Sequence, residues 1–187
     1  MPRRRRAPVL SKKTGDAKAS PAVVAEGSLL VVAANVVQAP NDKQQLEPML
    51  AKINALPEDL GKADVMLGDN SYFSAANVTA CLASGIEPLL AMGRDPHHQS
   101  LGERFADISP SPENPTPVET MAYRLRTPEG KKLYALRKHK PEPVFGIIKS
   151  VLGFRQFLLR GLDNVKGEWT LVTMAWNVKR LFVLKAA

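Results

Sequence analysis

At 187 residues, 44% hydrophobic and 24% charged, the chain has the size and balance of one globular domain with a packed core, and leaves little room for two. The single Cys81 excludes a disulfide framework or a Cys-rich zinc site within one chain. No apolar run approaches the roughly 18 residues that cross a bilayer, and the basic start lacks the apolar core of a secretory signal, so a cytoplasmic protein away from the membrane is expected. The net charge of +8 points to a polyanionic partner and divides into +5 over residues 1–27, −6 over 28–114 and +9 over 115–187. An acidic middle beside a basic C-terminal third suits a metal-dependent enzyme acting on nucleic acid, with carboxylates for cations and Lys/Arg for phosphates. Ordinary protein surfaces also scatter this far.

Residues 1–27 hold the Arg3-Arg4-Arg5-Arg6 run, three prolines and little apolar periodicity, and read as a disordered basic arm. From Leu29 to Val37 the Val-rich pattern predicts a strand buried on both faces, central in its sheet. Asp42 and Gln45 fit a capping box for a helix bearing Leu46, Met49, Leu50 and Ile53, with Pro48 tolerable near its start. A second strand, residues 63–68, ends directly at Asp69, and Ser74 caps a helix that stops at Gly85. Residues 86–92 read as a further short strand. The stretch 94–120, with five prolines and the His97-His98 loop, reads as an excursion from the core. Two strands, 121–127 and 131–137, are predicted around Pro128-Glu129-Gly130 as a hairpin turn. Helices then follow from near Glu142-Pro143 and from about Asp163 to Phe182. Trp169 and Trp176 on the last helix read as packing residues rather than base-stacking platforms.

The most specific segment runs from Tyr134 through Arg137, Glu142 and Lys149. Glu142 and Lys149 are seven apart, two helical turns and hence one face, which would set a carboxylate beside phosphate clamps. This string is similar to the Tyr-Arg-Glu-Lys signature of the DDE transposases of bacterial insertion sequences, whose catalytic domain resembles RNase H. The resemblance takes in Leu67-Gly68-Asp69-Asn70-Ser71-Tyr72-Phe73-Ser74, then Gly153-Phe154-Arg155-Gln156-Phe157-Leu158-Leu159-Arg160-Gly161, and the closing Trp176-Asn177-Val178-Lys179-Arg180-Leu181. It spans about residues 29–184. The gap from Arg137 to Glu142 is one residue longer than in the commonest form of the signature.

The resemblance implies an α/β fold, an RNase H-like mixed sheet flanked by helices. Here it is expected to lack its first strand, being N-terminally truncated, and to carry the Pro-rich insertion and hairpin (about 94–137) before the C-terminal helices. Residues 28–187 would then form a partial catalytic domain behind the 1–27 arm. It implies Mg²⁺ or Mn²⁺, two ions in the intact family, with Asp69 and Glu142 as catalytic metal ligands. Arg137 and Lys149 would contact DNA phosphate, Tyr134 would position the DNA, and Arg155 and Arg160 would add phosphate contacts. The expected partners are DNA at transposon ends, a second copy of the chain, or a full-length transposase. The family's first acid has no counterpart, since residues 29–37 hold none, Asp16 lies in the arm and Asp42 reads as a cap, so the chain is expected to bind DNA with an incomplete cleavage and strand-transfer centre. Taken singly, each residue has a plainer role: a strand-end Asp turns a chain, a Glu before Pro balances a helix dipole, and surface arginines snorkel.

Overall fold

A computed structural model of the chain describes residues 8–13, 20–37, 42–93, 113–139 and 141–186. The Arg3 to Arg6 run, Asp16 and the His97-His98 loop lie outside the described residues. Five strands, β1 (Pro8–Lys13), β2 (Ser20–Ala25), β3 (Val31–Ala34), β4 (Val65–Gly68) and β5 (Glu87–Leu90), form one mixed α/β sheet in the order β3-β2-β1-β4-β5. The β1/β2 and β2/β3 pairs are antiparallel, and the β1/β4 and β4/β5 pairs parallel. Parallel neighbours need crossovers. Helix α1 (Leu46–Asn54) leads from the β3 edge back to the centre, and α2 (Ala75–Ala83) joins β4 to β5. Helices α3 (Pro117–Arg126), α4 (Pro128–His139), α5 (Pro141–Ser150) and α6 (Leu162–Ala186) follow.

Successive strand residues face opposite sides, and the core divides accordingly, except that an irregularity in the β2/β3 register sets Val31 and Ala33 on opposite faces. Val23, Ala33, Met66 and Leu90 meet Leu46, Met49, Leu50 and Ile53 of α1 and Val78 and Cys81 of α2. Burial pushes the Cys81 thiol up to about 12, so it is an inert core group. On the other side, Ala22, Val24 and Val31 pack with Val144, Phe145 and Ile148 of α5 and with Trp169 and Trp176 of α6. Trp169 stacks on Phe145 at 6.2 Å and meets Phe154 and Phe157 at 6.1 and 6.2 Å. Beneath α4, Val65, Leu67 and Leu89 pack against Leu133, Tyr134 and Leu136.

The sheet corrects two expectations. Residues 8–13 and 20–25, read as part of a disordered arm, are strands, and β1 fills the central position that was expected to be missing. Their apolar stretches are too short to stand out among basic residues, yet Ala22, Val23 and Val24 are fully buried once neighbouring strands and helices close on them. The strand predicted over residues 29–37 shortens to β3 and lies at an edge, not the centre. The turn before it takes Gly27 and Leu29 to positive φ, 77° and 59°. The exposed edge is closed by α6. The Asn177 amide accepts from Val31 N and donates to Val31 O, both at 2.8 Å; Trp176 Nε1 donates to Leu29 O at 2.8 Å and Arg180 Nε to Ser28 O at 2.7 Å. Edge strands are aggregation templates unless covered in some such way.

The hairpin predicted over 121–137 is instead α3 and α4, which pack on β5 and on β1 and β4 and so belong to the core rather than to an excursion. The cause lies in local chemistry. Thr116 and Glu119 form a reciprocal capping box with Pro117 in the first turn, which commits the chain to a helix before Met121. Pro128 likewise opens α4, and Thr127 Oγ1 accepts from Gly130 N at 3.0 Å. Gly130 lets the two helices meet, since a Cβ there would fall 1.8 Å from Arg124 O. By contrast, Asp42 and Gln45 make no side-chain cap bond, so the box expected at α1 does not form.

Candidate active site and DNA-binding face

Asp69 follows the last residue of β4, at the carboxyl end of the parallel part of the sheet, where open α/β sheets place their ligands. Its Oδ1 accepts from Ser71 N at 2.8 Å and from Ser71 Oγ at 2.5 Å, closing the turn at residues 70–72. Two elements lock that turn. Ser74 caps α2 by accepting from Asn77 N, and the buried Asn77 amide donates to Tyr72 O at 2.7 Å and Lys43 O at 2.8 Å. Tyr72 sits under the turn with its hydroxyl buried and unpartnered; burial, then the carboxylates of Asp42 and Asp69, hold it protonated well above the usual phenol range.

The other Asp69 oxygen, Oδ2, faces Arg137 Nη1 of α4 at 3.9 Å. The Arg137 guanidinium lies 5.5 Å from the Tyr134 ring centroid, and its Nε is buried without a hydrogen-bond partner. Tyr134 itself packs on the Val65, Leu67 and Leu89 cluster, so it props the arginine against the sheet end. Of the residues singled out from the sequence, the structure thus brings Asp69, Arg137 and Tyr134 together. Glu142 is exposed in the first turn of α5 and Lys149 half-buried in its last. Among the described residues no hydrogen bond or ion pair joins Asp69 to Glu142. Arg155 and Arg160 are exposed in the segment between α5 and α6. Sequence reasoning passed over Glu168, whose carboxylate accepts from Leu158 N at 2.9 Å and Leu159 N at 3.1 Å and so holds that segment to α6. It also passed over Ser71 and Asn77; the Asp-Asn-Ser order was the available sign, since Asp two residues before Ser closes an Asx turn.

Residues 104–182 match the family model described as a transposase DDE domain. Over that stretch the chain is similar to the DDE transposases. The match takes in Tyr134, Arg137, Glu142, Lys149, Arg155 and Arg160 and stops short of Asp69. No curated protein matches the chain significantly. No helix among the described residues is long and apolar enough to cross a membrane.

DDE transposases in general use divalent metal ions, and a two-metal centre needs carboxylates converging on ions roughly 3.5 to 4 Å apart. The donor set among the described residues does not fit one. Among the described residues no three Asp, Glu, His or Cys side chains cluster. β1, the parallel neighbour of β4, reads Pro-Val-Leu-Ser-Lys-Lys; its Val9↔Leu67 register, continued two residues, sets Ser11 level with Asp69, and the strand holds no acid. The remaining oxygen of Asp69 faces a guanidinium rather than a second carboxylate.

Proposed function

We propose that this chain is a DDE transposase relative that binds DNA as part of the transposition machinery, and that its own acids leave the metal-dependent cleavage and strand-transfer centre incomplete. Arg137, Lys149, Arg155 and Arg160 are its phosphate contacts, and transposon ends are its DNA. The observation that carries the reading is the lack of an acid on β1, beside Asp69. The sheet, three antiparallel strands followed by two parallel ones, supports an RNase H-like domain, in which Asp69 and Glu142 correspond to two of the family's acids. A chain that holds DNA ends without cutting them would pair with or inhibit a full-length transposase.

The test is duplex DNA affinity as a function of salt. Each phosphate contact adds about 0.9 to the slope of log K against log salt. Four contacts give a slope near −3.6 by that rule, and the combined Lys149→Gln, Arg155→Gln and Arg160→Gln variant should lose about 2.7 of it. A slope that the triple variant leaves unchanged would remove these residues from the DNA face.

A further inference from the structure

We propose that in this chain Asp69 serves as the built-in counter-ion of Arg137, and that a DNA backbone phosphate binds by displacing Asp69 from that guanidinium. This rests on the DNA-binding reading above and assigns Asp69 a role other than metal ligand.

Four observations meet at the site. Asp69 Oδ1 is committed to Ser71 through two donors, so the carboxylate is fixed in orientation with Oδ2 turned to Arg137. The 3.9 Å separation is a long contact that leaves the guanidinium poorly satisfied. Arg137 has five N–H donors in all; its Nε is buried out of reach, but the side chain retains 25% exposure, so the edge formed by its terminal nitrogens stays open to an incoming anion. Phosphate offers a bidentate, charge-assisted match for that edge. Finally, the strand beside β4 carries no acid, so no second carboxylate stands level with Asp69 to build a metal centre. A carboxylate that neutralises the arginine competes with phosphate, whereas a metal-holding carboxylate would recruit it. The two roles predict opposite signs for one substitution.

Asn at position 69 keeps an oxygen for Ser71 and removes the charge, so the turn survives. Fluorescence anisotropy with a labelled 30-base-pair duplex, in EDTA and again in Mg²⁺, reads the effect. Asp69→Asn should tighten binding about two- to fivefold, the scale of a partly exposed ion pair, equally in both buffers. Arg137→Gln should weaken binding and lower the salt slope by about 0.9. Asp69→Asn on the Arg137→Gln background should change nothing, which separates a specific counter-ion from general loss of negative charge. Weaker or unchanged binding by Asp69→Asn overturns the proposal, as does saturable Mn²⁺ binding that Asp69→Asn abolishes, read by the free-ion electron paramagnetic resonance signal without DNA. If the unaltered chain fails to bind DNA, the DNA-binding reading falls and this proposal with it; binding that Asp69→Asn weakens sinks the counter-ion role alone.

Discussion

Replacing Asn177 by alanine removes the side chain that closes the free edge of the sheet. Its amide makes two hydrogen bonds of 2.8 Å to one residue, Val31, donating to the carbonyl and accepting from the N–H. A half-buried site that loses such a partner pays the desolvation of the groups left behind, about 1 to 3 kcal/mol. For a chain of this size that corresponds to a fall in Tm of roughly 2 to 12 °C, at about 2 to 4 °C per kcal/mol. Asn177→Asp keeps the acceptor for Val31 N and loses the donor to Val31 O, so it should stay destabilised. The freed strand should also seed association. Differential scanning calorimetry measures the first effect and light scattering below Tm the second, with Lys179→Ala as a control on the exposed face of the same helix. Melting of Asn177→Ala within about 1 °C of the parent, without added scattering, would refute the edge-clamp reasoning.

Three further outcomes follow from the same geometry. Gly130→Ala places a methyl on the Arg124 carbonyl, at 1.8 Å before any shift, and should cost about 1 to 3 kcal/mol in urea unfolding; an unchanged midpoint would show that α3 and α4 separate freely. The Glu119 carboxyl is held below its ordinary range by hydrogen bonds from the Thr116 backbone and hydroxyl. A depressed folded-state pKa means that the cap's contribution is full above the unfolded value and is lost as pH falls through the folded one. Amide exchange at the start of α3 should therefore accelerate on acidification beyond the intrinsic rate, and in Thr116→Ala this extra pH effect should shrink. Glu168→Ala releases the backbone N–H groups of Leu158 and Leu159 and should raise protease sensitivity between α5 and α6 while weakening DNA binding; equal cleavage rates would show that the segment is held by its aromatic residues alone.

What the sequence made legible was local. The run from β4 through Asp69 to the Ser74 cap and the Gly85 stop depends on neighbours within a few residues, and its order stands as read, with the strand shortened to Val65–Gly68 and the Ser74 hydroxyl accepting from Asn77 N. The tryptophans expected to pack do so, with Trp169 and Trp176 both buried. The strands β1 and β2 were not legible because their stability comes from pairing, β2 with β3 across a turn and β1 with β4 tens of residues away. The hairpin error at residues 121–137 has a different origin: Pro128-Glu129-Gly130 carries turn residues, but so does a helix start, and the Thr116-Glu119 box upstream decides between them. The pairing of Asp69 with Arg137 joins residues from separate elements and has no periodic or motif signal of its own. Each was found in the sequence for a family role, and only the fold shows them facing one another.

The most direct test of the central claim, DNA binding without a complete cleavage centre, is nicking of supercoiled plasmid by the purified chain in Mg²⁺ or Mn²⁺, alongside Asp69→Ala and Glu142→Ala. The account predicts intact supercoiled plasmid under conditions where a gel shift shows the DNA bound. Metal-dependent nicking by the parent chain that both substitutions abolish would contradict it, and would make Asp69 and Glu142 a working catalytic pair.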